Sequence, residues 1–283
     1  MFQSVVTLII SSFLTLLLIL YLSLRKNPFP VISNFFVDLF HHRFLLAHFL
    51  GVLSILALNK IEISLKSYLP DFPDWTPFIM KLEGKITPLL QLTLHNDLLT
   101  YISTYFYVIV FSVLMVASLL IYHHQNNPSA LYATIYGISL NYFLAVPFFM
   151  LIPVYEAWTL HPELKFLIPE VYPNFEGEYR FFSALENSFP SLHTSLSLTM
   201  AIIAYRSGNI RFAWITTISC GWVLFGIIYL GIHWYIDMIA GCLFALICVK
   251  LAYRLSRFPL EAHDVLYQEK KRATSEYPSG ISS

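Results

Sequence analysis

Charge is scarce in this chain. Only 12% of its 283 residues are Asp, Glu, Lys or Arg, against 57% hydrophobic ones, and a soluble domain of this size could hardly cover such a core with polar surface. Net charge is missing too. Seventeen basic residues face seventeen acidic ones, so no charge sum points to nucleic acid or to a polybasic lipid-binding role, and where the charges fall matters more than their total. The three cysteines, Cys220, Cys242 and Cys248, lie inside apolar runs without metal-ligand spacing such as C-x-x-C, and read as small core residues. No internal repeat and no soluble second domain is visible, which leaves a single helical bundle as the economical architecture.

What the chain does have is long apolar runs. A spanning helix needs about 20 apolar residues, and windows of that kind predict spans at 4–24, 43–59, 99–122, 130–153, 191–206, 211–230 and 233–253, the second and fifth of them short. Aromatic residues gather at the edges of these runs, where an apolar ring with a wet tip sits well at an interface. The first run has no basic leader and no A-x-A site and is followed at once by Arg25 and Lys26, so it is expected to remain as an anchor. Residues 61–97, with "LPDFPDWTPF" and "KITPLLQLTLHND", carry too many prolines and charges to span and are expected to lie flat at an interface. The polar stretch 258–283 reads as a disordered tail. The predicted fold is therefore an all-α polytopic membrane bundle of about seven helices: N-terminal spans 1–60, an interfacial segment 61–97, a catalytic membrane core 98–257 and the tail.

Alternating the spans puts eleven basic residues on one side and six on the other, and the positive-inside rule then predicts the N-terminus outside and the C-terminus in the cytoplasm. In that arrangement "NSFPSLH" (Asn187 to His193) and "GIHWYID" (Gly231 to Asp237) both open a span on the extracytoplasmic face. Ionisable groups at such places are costly unless they meet a cavity or a partner, which marks His193, His233 and Asp237 as candidates. Four residues apart on a helix, His233 and Asp237 share a face, so the carboxylate can fix the imidazole tautomer and leave Nε2 nucleophilic. Asn187 or Ser188 is expected to cap a helix with Pro190 in its first turn, leaving the backbone N–H groups of Ser191 and its neighbours for an anion such as phosphate. His193, one turn in, is placed to protonate a departing oxygen. Each of these features alone suits a structural residue, and two His with one Asp also suit zinc; their joint occurrence favours phosphoryl transfer.

"FPSLH" (Phe189 to His193) and "GIHWYID" resemble the second and third motifs of the type 2 phosphatidic acid phosphatase superfamily. The resemblance covers roughly residues 100 to 255, and Leu192 in "FPSLH" is closest to the inositol phosphorylceramide synthase-like branch. It implies a six-helix membrane core, a phosphohistidine intermediate and no metal or other cofactor, with His233 as nucleophile, Asp237 as its orienting partner, His193 as acid and Ser191 as a phosphate ligand. The chain departs from the family pattern in its cations. There is no K-x6-R-P, only His161-Pro162 in "LHPELKF", and Ile227 stands where the family has an Arg. Equatorial phosphoryl oxygens need positive charge; Arg180, in the same outer loop, is the expected substitute, with Lys165 behind it. Tyr155, Asn187, Asn141 and Tyr142 are further expected pocket residues. The implied activity is that of a lipid phosphate phosphatase or phosphotransferase on a lipid phosphate or diphosphate, with transfer of a phospho-headgroup to an alcohol as the alternative. A non-catalytic transporter or lipid-binding scaffold is the rival of another class.

Overall fold

The computed structural model describes residues 5–66, 68, 70, 72–178 and 184–259. Regular structure in them is helical: α1 (Val5–Leu24), α2 (Pro28–His41), α3 (Arg43–Lys66), α4 (Thr76–Glu83), α5 (Ile86–Leu94), α6 (Asp97–Tyr105), α7 (Phe111–His124) and α8 (Pro128–Leu151). Three four-residue helices follow, α9 (Ala157–Leu160), α10 (Ile168–Val171) and α11 (Phe175–Glu178), and then α12 (Leu192–Arg206), α13 (Ile210–Tyr229) and α14 (Tyr235–Leu255). Asparagine starts four of them. The side-chain oxygens of Asn27, Asn96, Asn127 and Asn209 accept from the N–H groups of Phe29, Leu99, Ala130 and Phe212 at 2.9–3.1 Å, and Pro28 and Pro128 occupy first turns where a missing N–H costs nothing.

Among the described residues five helical stretches are long and apolar enough to cross a bilayer alone: α1, Asp97–His124, α8, α13 and Tyr235–Pro259. The second runs from α6 to α7 through a π-helical turn, Phe106–Val110. Lipid-facing character is plain on α1, which buries Thr15, Ile19, Leu20 and Ser23 and leaves Ile9, Phe13 and Leu14 exposed.

The bundle is polytopic, as expected, but the sequence count of seven needs correction at two places. The 43–59 span is one arm of a bent pair: α2 and α3 meet at 101° beside His42 and together make at most a sixth span. The arm α2 escaped because its apolar residues Val31, Phe35 and Leu39 form one buried stripe, a pattern that a hydropathy window averages away. The 191–206 span is α12, whose 15 residues reach only about 22 Å, short of a hydrocarbon core of about 30 Å. Neighbours make up the difference, for α12 packs against α7, α8, α13 and α14.

Small residues let these helices approach. A Cβ on Gly137 of α8 would stand 3.0 Å from Thr199, and one on Gly241 of α14 only 2.7 Å from the Ser191 carbonyl oxygen. Such close crossings hold helices together where lipid removes the hydrophobic incentive between them. Asn141 is one of these locks and not a pocket residue: buried on α8, it donates to the Gly137 carbonyl at 2.7 Å and to Thr199 Oγ1 at 3.2 Å. The starts of α12 and α14, the end of α3 and the end of α8 all come to one end of the bundle.

Candidate active site

The chain after α8 ties the two motif loops together. Val154 N–H donates to the Glu186 carbonyl, Ser188 N–H to the Val154 carbonyl and Glu156 N–H to the Leu185 carbonyl, each at 3.0 Å. A few residues on, Ala157 N–H reaches the Ile232 carbonyl at 3.0 Å and Trp158 N–H the Gly231 carbonyl at 2.9 Å. This strap holds "NSFPSLH" beside "GIHWYID". Glycine is required at its edge: Gly231 has φ +79, and a Cβ there would stand 2.6 Å from the Lys165 carbonyl oxygen. Buried Gln91 of α5 braces the same corner, accepting from Lys165 N–H and donating to the carbonyls of Lys165 and Tyr229 at 2.8–2.9 Å.

The start of α14 is closed to a ligand because its own residues and a distant carboxylate occupy the free N–H groups. Asp237 Oδ2 accepts from Trp234 N–H at 3.1 Å, while Glu83 at the end of α4 accepts from Tyr235 and Ile236 N–H at 3.1 and 2.7 Å and from the Thr87 hydroxyl. This external cap was invisible in the sequence, 152 residues away. A carboxylate at a helix N-terminus also meets the positive end of the helix dipole.

His233, 5% exposed, and fully buried Asp237 stand together, though not on one helix face: α14 begins at Tyr235, and His233 lies on the loop just before the Trp234 cap. Nδ1 of His233 lies 3.3 Å from Asp237 Oδ2. A third residue intervenes: the Ser188 hydroxyl donates to Asp237 Oδ2 at 2.7 Å, and its oxygen is 2.9 Å from His233 Nδ1. Since the Ser188 proton is directed to the carboxylate, both neighbours of Nδ1 are acceptors, so Nδ1 carries the proton. The Nε2 lone pair is then free, and Nε2 has no hydrogen-bond partner among the described residues.

His193 is brought to the same place, its ring centroid 6.2 Å from that of His233. The π-helical turn presents Tyr107 to it: the two rings stack at 4.1 Å, and Phe111 covers it at 4.5 Å. Its Nε2 is buried with no partner among the described residues, an unmet demand for a polar group.

The expected cap needs correction. Helix α12 begins at Leu192, Ser191 is its cap, and Pro190 precedes the helix behind a cis Phe189–Pro190 peptide. Ser191 Oγ accepts from Thr194 N–H at 3.3 Å, and Ser191 N–H is not available to an anion because it donates to the Asp237 carbonyl at 3.1 Å. Leu192 and His193 N–H carry no hydrogen bond among the described residues. Ser188 turns inward to His233 and Asp237, whereas Asn187 turns the other way, as neighbours on extended backbone do. Asn187 donates to buried Glu62 at 3.1 Å and accepts from Lys66 at 3.2 Å, and Lys66 also pairs with Glu186 at 3.3 Å. Lys66 is thus a cation touching the motif loop that sequence reasoning passed over; its place on the same predicted face was the available signal.

The remaining candidates divide. Tyr155 lies in the strap, with its N–H on Thr76 Oγ1 at 2.8 Å and its carbonyl accepting from Trp234 Nε1 at 2.9 Å. Burial pushes its phenol above the usual value, and the carboxylates of Glu186 and Asp74 push the same way, so it stays a neutral O–H donor. Lys165 is exposed, held by its backbone alone. Arg180 lies outside the described residues. Among the described residues no group of three or more His, Cys, Asp or Glu is arranged to hold a metal ion.

With this geometry in hand, a protein-family model described as the PAP2 superfamily matches residues 80–251, more than half of the chain. The match begins in α4, so it includes Glu83 and Gln91 along with both motifs. Neither a curated protein nor a solved structure matches the chain.

Proposed function

Because the chain belongs to the PAP2 superfamily, we propose that it is a membrane-embedded enzyme that takes a phosphoryl-containing group from a lipid phosphate or diphosphate through a phosphohistidine on His233. The observation that carries this reading is the arrangement of His233, Ser188 and Asp237, in which Nδ1 is fixed as donor and Nε2 is left unbonded. Nε2 attacks phosphorus, the bond from phosphorus to the leaving oxygen breaks, and that oxygen takes a proton from His193. As the bond forms, the imidazole becomes cationic, and Ser188 and Asp237 stabilise it. Water then attacks the phosphohistidine, gives a proton back to His193 and restores Nε2, releasing phosphate.

The N–H groups of Leu192 and His193 at the start of α12 would hold the phosphoryl oxygens, with the Ser191 hydroxyl beside them. Arg180 and the Tyr155 phenol supply the charge and donors that the missing family cations leave to other residues, while Lys66 is already paired with Glu186 on the outward side of the motif loop. Apolar helix faces admit the lipid chains sideways. By the positive-inside count the site opens on the extracytoplasmic face. The catalytic core is 98–257, with α4 and α5 bracing it from the preceding segment.

A second reading has its own support. Leu192 in "FPSLH" points to the inositol phosphorylceramide synthase-like branch, and there an alcohol replaces water, so that a phospho-headgroup passes from a phospholipid to the acceptor hydroxyl.

The test is phosphate release by purified protein in detergent with EDTA, from phosphatidic acid and from a polyprenyl diphosphate, wild type beside His233→Ala. Release lost in the variant supports the phosphatase. No release from either lipid by the wild type, but headgroup exchange onto an alcohol, moves the assignment to the transferase; failure of both leaves a non-catalytic scaffold.

A further inference from the structure

The far end of α12 and α14 holds a second polar feature that the phosphoryl chemistry does not use. Lys250, Tyr253, Arg254 and Arg257 recur at spacings of three and four residues and so share one face of the Tyr235–Pro259 span. Arg206 on the last turn of α12 faces them across an open groove of about 620 Å³, with Leu246 on its apolar wall. All four cations are exposed. None of them pairs with a carboxylate among the described residues, and the Arg206 guanidinium rests on the Tyr253 ring, 5.0 Å from its centroid. Four like charges around one groove repel each other, and the helix C-termini offset only part of that. A bound anion would relieve that repulsion. A solvated topology signal would need no apolar wall; here apolar and aromatic side chains line the groove between the charges.

Its position fixes the kind of anion. Arg254 is 17 residues beyond Asp237 on one continuous helix, hence about 25 Å away along the axis, close to a hydrocarbon thickness of about 30 Å. The groove therefore meets the membrane interface opposite to the catalytic end, the side with the excess of basic residues, where anionic lipids concentrate. We propose that the groove formed by Arg206, Lys250, Tyr253, Arg254 and Arg257 binds the headgroup of one anionic phospholipid from that leaflet, its chains lying along Leu246 and the outer face of α14. This site is independent of the catalytic assignment.

The test is native mass spectrometry of the full-length protein in neutral detergent, titrated with phosphatidylglycerol or with phosphatidylcholine of the same chains. Wild type is compared with Lys250→Gln/Arg254→Gln/Arg257→Gln, both carrying His233→Ala so that neither lipid is turned over. The expected result is one phosphatidylglycerol retained by the wild-type groove and lost from the triple variant, with affinity weaker by about tenfold or more. Phosphatidylcholine should bind both proteins alike, and Arg254→Lys should keep the lipid.

Equal retention by the triple variant would overturn the proposal. So would displacement of the lipid by an equal concentration of glycerol phosphate, which would mark a soluble-anion site. Binding seen only after removal of residues 260–283 would show that the acidic residues of that segment are the occupant. Should the triple variant not fold, the wild type decides. Retention unchanged between about 0.1 and 1 M salt, where the screening length falls from about 10 to 3 Å, is incompatible with a charge-held headgroup.

Discussion

At the residue scale the environment of the proposed nucleophile His233 is carried by three side chains, and two of them were legible. Helical periodicity paired a His with an Asp four residues on, and the two do stand at 3.3 Å, although His233 lies on the loop just before α14 and only Asp237 is on the helix. Ser188 was legible only as a possible cap, because its role depends on a loop turning it inward while Asn187 turns out to Lys66 and Glu62. A hydrogen bond to a charged partner is worth about 1.5–3 kcal/mol, and about 1.4 kcal/mol is a factor of ten in rate. Ser188→Ala is therefore expected to lower kcat about ten- to a hundredfold at unchanged KM, with expression and thermal midpoint near wild type. Asp237→Asn, which leaves an amide beside Nδ1 and frees the other tautomer, should cost about three to four decades. Steady-state phosphate release on the two variants checks both, and a Ser188→Ala enzyme as fast as wild type would remove the hydroxyl from the mechanism.

At the element scale, the site depends on helices that hydropathy alone does not value. Residues 61–97 read as an interfacial strip because prolines and charges forbid a span, yet α4 delivers Glu83 to the start of α14 and α5 delivers Gln91 to the Gly231 corner. Those uses arise from contacts 74 to 153 residues apart, which no local pattern encodes. The same limit hid the strap 154–158, which is tied to the two motif loops mainly through backbone groups, with Thr76 and Trp234 side chains holding Tyr155. Glu83→Ala leaves two N–H groups of α14 without acceptors and should cost about 1–3 kcal/mol. It is expected to lower the thermal midpoint in detergent and to reduce activity through displacement of His233, with Thr87→Val milder. Gly231→Ala forces a side chain into positive φ and against the Lys165 carbonyl. Its destabilisation should exceed about 1 kcal/mol, larger than that of an alanine at Gly221, where a Cβ meets nothing within 4 Å.

At the scale of the whole molecule, the proposed sidedness rests on charge placement alone, which the sequence displays in full. The span count was less legible. A bent pair such as α2–α3 and a short, enclosed helix such as α12 satisfy their backbone within the protein, so neither needs the uniform apolar run that a lone spanning helix must have. The orientation can be tested on two exposed positions at opposite ends. Tyr68, 85% exposed, follows α3 beside the catalytic end, and Tyr205, 76% exposed, adjoins Arg206 at the groove. The native cysteines lie within α13 and α14, inside apolar spans that an impermeant reagent reaches poorly. A membrane-impermeant maleimide applied to intact cells is expected to label Tyr68→Cys and to spare Tyr205→Cys until the cells are permeabilised. The reverse pattern would place the catalytic end in the cytoplasm and the basic groove outside, and the positive-inside count would then have failed for this chain, taking with it the expectation that the groove meets the anionic leaflet.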